Sequence, residues 1–198
     1  MLGRRLGAEL LGLRTAAGRT QPQAAQALSA STAEVAKMEG GWVPVRDPDI
    51  RALCDLYDIH DPAIAARLAR RCRLTDDRPL SLRAVIHEAV LRNFAGGSST
   101  ARAQLEELMV TADLPSVELR IFPFGAGTHP GLNGSFNILS FAAPGAMDVV
   151  YLDAHFTQHR VEGGEAAAAY DELCEKIAEH ALDERESVSF LHKLRKEL

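Results

Sequence analysis

Two groups of residues in this chain carry side chains able to do chemistry. The first runs from Arg19 through Gln21, Ser31 and Thr32 to Lys37. Guanidinium and ammonium groups bind phosphate oxygens, while amides and hydroxyls hydrogen-bond to phosphates or to base edges, so this group suits double-stranded DNA. The second group is dispersed: His87-Glu88, His129, Asp153, His155 and His159. His129, Asp153 and His155 would form a two-histidine, one-carboxylate metal set if the fold brought them together. The chain has no HExxH, no nucleophile elbow and no P-loop, and GAGTHPG lacks the strand-to-helix setting of a dinucleotide fingerprint. The expectation is therefore no catalytic residue, no metal and no cofactor, with these histidines and glycines in structural roles.

The elements around the first group are legible. Leu6, Leu10, Leu13 and Ala17 share one helical face, which predicts a helix over Leu6–Ala17 with Gly18 as its cap. Thr20 and Gln23 have capping-box spacing, and Pro22 falls in a first turn, so a second helix starts after Thr20. Ser29-Ala30 makes a turn. Ser31 and Glu34 predict a second capping box and a third helix, anchored by Val35 and Met38 and ended by Gly40-Gly41. This layout is a helix-turn-helix, whose second helix enters the major groove. Asp47 as cap with Pro48 behind it predicts a fourth helix, buried through Ile50, Leu53, Cys54 and Tyr57. A fifth starts at Asp61-Pro62 and reaches Arg73. Residues 1–73 thus form a mainly α five-helix bundle, and LTDDRP at 74–79 is a linker.

Residues 80–198 have a different composition. Strands are expected at 81–87, 117–124, 135–141 and 148–154. Helices are expected over the SSTARAQLEELMVTADL segment, from Gly164 to about Leu182, and from Asp183 to Leu198. This is an α+β domain with a small, mostly antiparallel sheet.

The chain has 198 residues, 46% of them hydrophobic and 25% charged, enough to bury a core. Its net charge of −5 gives no overall attraction to nucleic acid. Residues 1–40 are nevertheless mildly basic: Arg4, Arg5, Arg14, Arg19 and Lys37 outnumber Glu9, Glu34 and Glu39. Cys54, Cys72 and Cys174 form neither a disulfide framework nor a metal knuckle. No apolar run approaches a membrane span, and MLGRRLGAELLGLR lacks a signal-peptide layout, so a cytoplasmic location is expected.

Two stretches resemble known families. L-R-x-x-A-G-x-T-Q from Leu13, followed by S-x-x-x-V-x-K-M-E-x-G from Ser31, resembles the DNA-binding domain of the Cro/repressor-like (XRE) helix-turn-helix family. LPSVELRIFPFGAGTHPGLNGSF resembles the C-terminal domain of actinomycete antitoxin-like transcriptional regulators, which are encoded beside a small partner protein. The resemblance implies a lambda repressor-like fold for the first domain. For the second it implies binding to the small protein, with a small-molecule sensor or a protein-interaction module with degenerate DNA binding as the alternatives. It also implies that Gln21 contacts a phosphate or base and that the reading positions are Thr32, Ala33 and Ala36.

This chain departs from the family twice. The usual stretch between the two domains is missing, which predicts exposed apolar surface covered by a partner or a dimer. Two reading positions are alanine, able only to touch a thymine methyl, and Glu34 repels phosphates. Arg19, Lys37 and Arg46 are left to bind phosphates. Weak binding by one copy predicts a homodimer on a pseudo-palindromic site. A pocket using His129, Tyr151 and Phe156 is the expected ligand or partner site.

Overall fold

The structure is a computed structural model that describes residues 2–93, 97–127, 134–143, 146–153 and 158–198. Along them run α1 (Leu2–Ala16), α2 (Gln21–Ala27), α3 (Thr32–Glu39), α4 (Asp47–Leu56) and α5 (Pro62–Cys72). These are followed by β1 (Leu82–His87), α6 (Glu88–Arg92), α7 (Gly97–Ala112), β2 (Val117–Phe122) and a 3₁₀ turn at Phe124–Ala126. β3 (Phe136–Leu139), β4 (Val149–Asp153), β5 (Gln158–Glu162), α8 (Gly164–His180) and α9 (Glu184–Glu197) complete the described elements. The chain divides into two compact units: residues 1–82 with 110–117, and residues 83–109 with 118–198.

The first unit holds the helical bundle. The apolar stripes converge on one core that includes Leu6, Leu10, Ala24, Ala25, Val35, Met38, Ile50, Leu53, Leu68 and Cys72, with Leu13, Ala17 and Leu28 packed against it. Burying one such aliphatic side chain contributes about 1.5–3 kcal/mol. Backbones also touch directly. A Cβ on Gly7 would lie 2.4 Å from the Met38 carbonyl oxygen and 2.5 Å from that of Glu39, so only glycine lets α1 cross the end of α3 this closely.

Local chemistry sets the helix ends. The Gln23 amide N–H reaches the Thr20 hydroxyl at 3.4 Å, and the Gln23 side-chain oxygen accepts from the Thr20 N–H at 2.8 Å, so the first capping box is complete. Ser31 caps α3 by accepting from the Glu34 N–H at 3.1 Å, but the Glu34 carboxylate does not return the bond. The expected second box is therefore half formed, and the Glu34 side chain faces solvent. In the turn between α2 and α3, Ser29 adopts φ +51, a left-handed conformation uncommon for residues other than glycine. Asp47 is not the cap of α4. The cap is Arg46, whose N–H donates to Asp49 at 3.0 Å, and Asp47 instead pairs with Arg51 one turn on. Asp61 caps α5 as expected, accepting from the Ala63 N–H at 2.8 Å.

The second unit is α+β, with the strands in two sheets. β1 and β2 form one pair, and β3-β4-β5 forms an antiparallel three-stranded sheet. Phe136 lies opposite Leu152, and Val150 opposite Val161. α8 packs on β4 and β5, and the Phe136 and Tyr170 rings meet at 5.2 Å. α9 is tied to β2 because Ile121 donates to the buried Ser187 hydroxyl at 2.9 Å.

The strand and helix expectations for this unit need correction at four elements. β2 stops at Phe122, because Pro123 has no N–H for a ladder. α6 and β5 were not expected: α6 is a single short turn-and-a-half, and QHRVE carries one strong strand former, Val161. β3 is also shorter than the 135–141 expected. Among the described residues no helix is long and apolar enough to cross a membrane.

Candidate nucleic-acid interface

α2 and α3 present the residues singled out from the sequence. Thr32, Ala33, Ala36 and Lys37 are exposed on α3, while Val35, Met38 and Glu39 turn inward. The 3.6-residue period makes this partition: the inward set is spaced i, i+3, i+4, and the outward set lies on the opposite side. Ser31, the cap, is exposed at the helix N-terminus.

A buried carboxylate organises the pair of helices. Glu39 is 8% exposed. Arg14 on α1 donates to both its oxygens, from Nε to Oε1 and from Nη2 to Oε2. Gln21 at the start of α2 donates from Nε2 to the same Oε2 at 2.8 Å. The Arg14 guanidinium also donates to the Arg19 carbonyl at 2.8 Å, which holds the α1–α2 connection. The hydrogen bond that Arg14 donates to Glu39 raises the Arg14 pKa above its ordinary value, against the opposing effect of burial. Nearby Tyr57 is pushed up to about 12, first by burial and then by the Glu39 charge. Charge-assisted, two-pronged bonds of this kind fix geometry as well as energy.

Arg14 and Glu39 were not among the sequence-derived candidates. A signal existed: Glu39 continues the apolar spacing of Val35 and Met38, a position where a charge must find a buried partner.

The remaining cations are partly occupied. Arg19 donates to the Leu56 carbonyl and to Asp58, both at 3.0 Å, closing the end of α4. Arg46 pairs with Asp77. Glu34, Arg46, Asp49 and Asp77 line a shallow groove of about 310 Å³ beside α3, so this flank of the helix is acidic. Arg67 and Arg71 both bind Glu9.

The second group of candidates is not assembled into a reactive site among the described residues. His87 caps α6, its Nδ1 accepting from the Ala89 N–H at 3.1 Å, and its ring lies against Phe122 and Phe124. Glu88 is buried. Burial pushes its carboxyl up, but the Phe124 N–H at 2.9 Å and Arg92 at 2.6 Å outweigh that and hold it below the usual carboxylate value. His159 lies on β5 opposite Leu152, and Tyr151 on β4 opposite Asn137 and Arg160. His129, His155 and Phe156 lie outside the described residues, as does the Asp153 side chain. No group of three metal-ligating side chains occurs among the described residues. Cys54 and Cys72 are buried, and burial pushes the Cys72 thiol up to about 11.

Comparison with known families agrees with the helix-turn-helix layout of the first unit. A family described as helix-turn-helix domain matches residues 5–68. A second, described as domain of unknown function (DUF5753), matches residues 55–193. No curated protein and no solved structure matches the chain.

Proposed function

The chain belongs to the family of the domain of unknown function (DUF5753) and carries a helix-turn-helix domain at its front; from that premise we propose that it is a sequence-specific transcriptional regulator of the antitoxin-like kind. Residues 1–73 bind double-stranded DNA, 74–79 link, and 80–198 bind a small protein encoded nearby. The exposed stripe of Thr32, Ala33, Ala36 and Lys37, on a helix locked by Glu39, carries this reading. Thr32 reads a base edge, the two alanines touch thymine methyls, and Lys37 binds phosphate. Gln21 keeps its side-chain oxygen for the duplex while its amide nitrogen holds Glu39. Arg19 and Ser31 complete the contact set.

Binding by one copy is weak on this surface, so a homodimer on a pseudo-palindromic site supplies the affinity. Partner binding at the second domain shifts DNA affinity by acting differently on two states. The experiment is selection of duplexes from a random pool, followed by binding across a salt series with and without the neighbouring small protein. A selected sequence bound no better than random duplex would remove sequence-specific regulation. Equal operator affinity with and without the partner would remove the coupling.

A further inference from the structure

The single tryptophan of the chain, Trp42, stands on the loop after α3 with 72% of its surface exposed. The loop is tightly held. The Trp42 N–H donates to the Lys37 carbonyl at 2.8 Å. A Cβ on Gly40 would lie 2.6 Å from the indole Cδ1 and 2.8 Å from Nε1, so the indole edge rests where a side chain of residue 40 would stand. Thr32, Ala36 and Gly40 are four apart and share one face of the helix. The indole therefore continues the reading stripe past the end of α3.

Arg4 covers this indole. Its guanidinium carbon sits 5.1 Å from the ring centroid. Gly41, at φ +68, brings the loop so close that a Cβ there would lie 2.4 Å from the Arg4 Cα. Arg4 is exposed, and unlike Arg14, Arg19, Arg46 and Arg67 it has no carboxylate partner among the described residues. An aromatic face holds a guanidinium flat by cation–π attraction and leaves its planar N–H fork available, and that fork matches phosphate geometry.

We propose that Arg4, carried on Trp42, binds a backbone phosphate of double-stranded DNA at the end of the reading stripe. Trp42 is the positioning residue and Arg4 the ligand-binding one. The occupant follows from charge: Arg4 is an exposed cation without a carboxylate partner among the described residues, held over the loop that follows α3, and exposed Lys37 adds a second cation on α3 itself, a pairing that suits a polyanion. The inference rests on the DNA-binding reading above and adds a contact outside the helix-turn-helix itself.

The test uses the full chain and a labelled mixed-sequence duplex, with binding followed by anisotropy and by Trp42 emission across a salt series. A lost phosphate contact lowers the salt-dependence slope by about 0.9, equivalent to roughly eightfold weaker binding at about 0.1 M salt. Arg4→Ala is expected to show both losses, and Arg4→Lys to retain the slope. Trp42→Ala is expected to weaken binding and Trp42→Phe to restore most of it, with thermal unfolding of each variant checking the fold. In the wild type, Trp42 emission changes on adding duplex, and in Arg4→Ala the change is reduced. If the wild type binds duplex but Arg4→Ala leaves slope and affinity unchanged, this inference falls and the DNA-binding reading stands. If the wild type binds no duplex, both fall. Tighter binding to single strands, lost in Trp42→Ala, replaces the phosphate contact by base stacking and overturns the proposal.

Discussion

The Gln21 side-chain amide donates to the Glu39 carboxylate at 2.8 Å, joining the first residue of α2 to the last residue of α3. The bond runs between the two helices of the helix-turn-helix, and Arg14 locks it from α1. It ties α2 to α3, although neither Gln21 nor Glu39 lies on the exposed stripe of α3. Removing the carboxylate leaves the part-buried Arg14 charge without an anion, held only by the Arg19 carbonyl. Glu39→Ala is expected to cost about 3 kcal/mol, in the range for breaking a buried ion pair by deleting one member. Denaturant unfolding of the full chain measures it, and a loss under about 1 kcal/mol contradicts a structural role for this network.

The α1–α3 crossing gives a second outcome. A methyl group on Gly7 meets two backbone carbonyl oxygens, which cannot swing aside as a side chain tip can. Gly7→Ala is expected to destabilise the bundle by about 1–3 kcal/mol or more, despite alanine's better helix propensity. A neutral or stabilising result in urea unfolding contradicts this close approach. Gly12, on the same helix with open space around its Cβ position, is the control.

The half-formed cap of α3 separates two residues. Ser31→Ala removes the bond to the Glu34 N–H and is expected to lower stability by about 1 kcal/mol. Glu34→Gln removes no side-chain capping bond, so stability changes little, while removing a negative charge from the exposed side of α3 is expected to strengthen duplex binding. Paired melting curves and anisotropy titrations check both. Equal destabilisation by the two substitutions points to a complete capping box in solution.

Acid sensitivity follows from Glu88. Its carboxyl is held below the usual value in the folded state, so the unfolded chain takes up its proton first as pH falls. The associated stability is fully present above the unfolded value of about 4.3 and disappears as pH drops through the lower folded value. The difference in melting temperature between wild type and Glu88→Gln is therefore expected to be largest near neutrality and to shrink below about pH 4. A difference that grows toward acid reverses the sign and excludes the depressed pKa. Glu175 is held low in the same direction by Arg83, but on the exposed surface that pair contributes little.

The helices of the first unit were legible because their signals are local. A cap and the residues it caps lie within one turn, and an apolar stripe repeats every three or four residues. Thr20 and Gln23, Asp61 and Pro62, and Val35 and Met38 all work at that range. The cap of α4 was misplaced by one residue because Asp47 and Asp49 flank Pro48, and composition alone does not say which carboxylate turns back. β5 and α6 were missed because QHRVE and EAVLR are too short for a period to emerge. The backbone pairing of β5 is settled by β4, a separate strand, and not by its own five residues.

The site divides in the same way. The sequence by itself determined that a helix-turn-helix forms and that Thr32, Ala33, Ala36 and Lys37 lie on its outward side, because helix periodicity sorts residues into faces without tertiary information. Only the tertiary structure decided what the polar residues are doing. Gln21 and Arg19 have part of their hydrogen-bonding capacity taken by Glu39, Leu56 and Asp58, and Glu34 does not reach back to its cap. It also decided that Arg4, far from α3 in the chain, lies over Trp42. Such pairings depend on where distant segments meet in three dimensions, and nearest-neighbour chemistry carries no record of that.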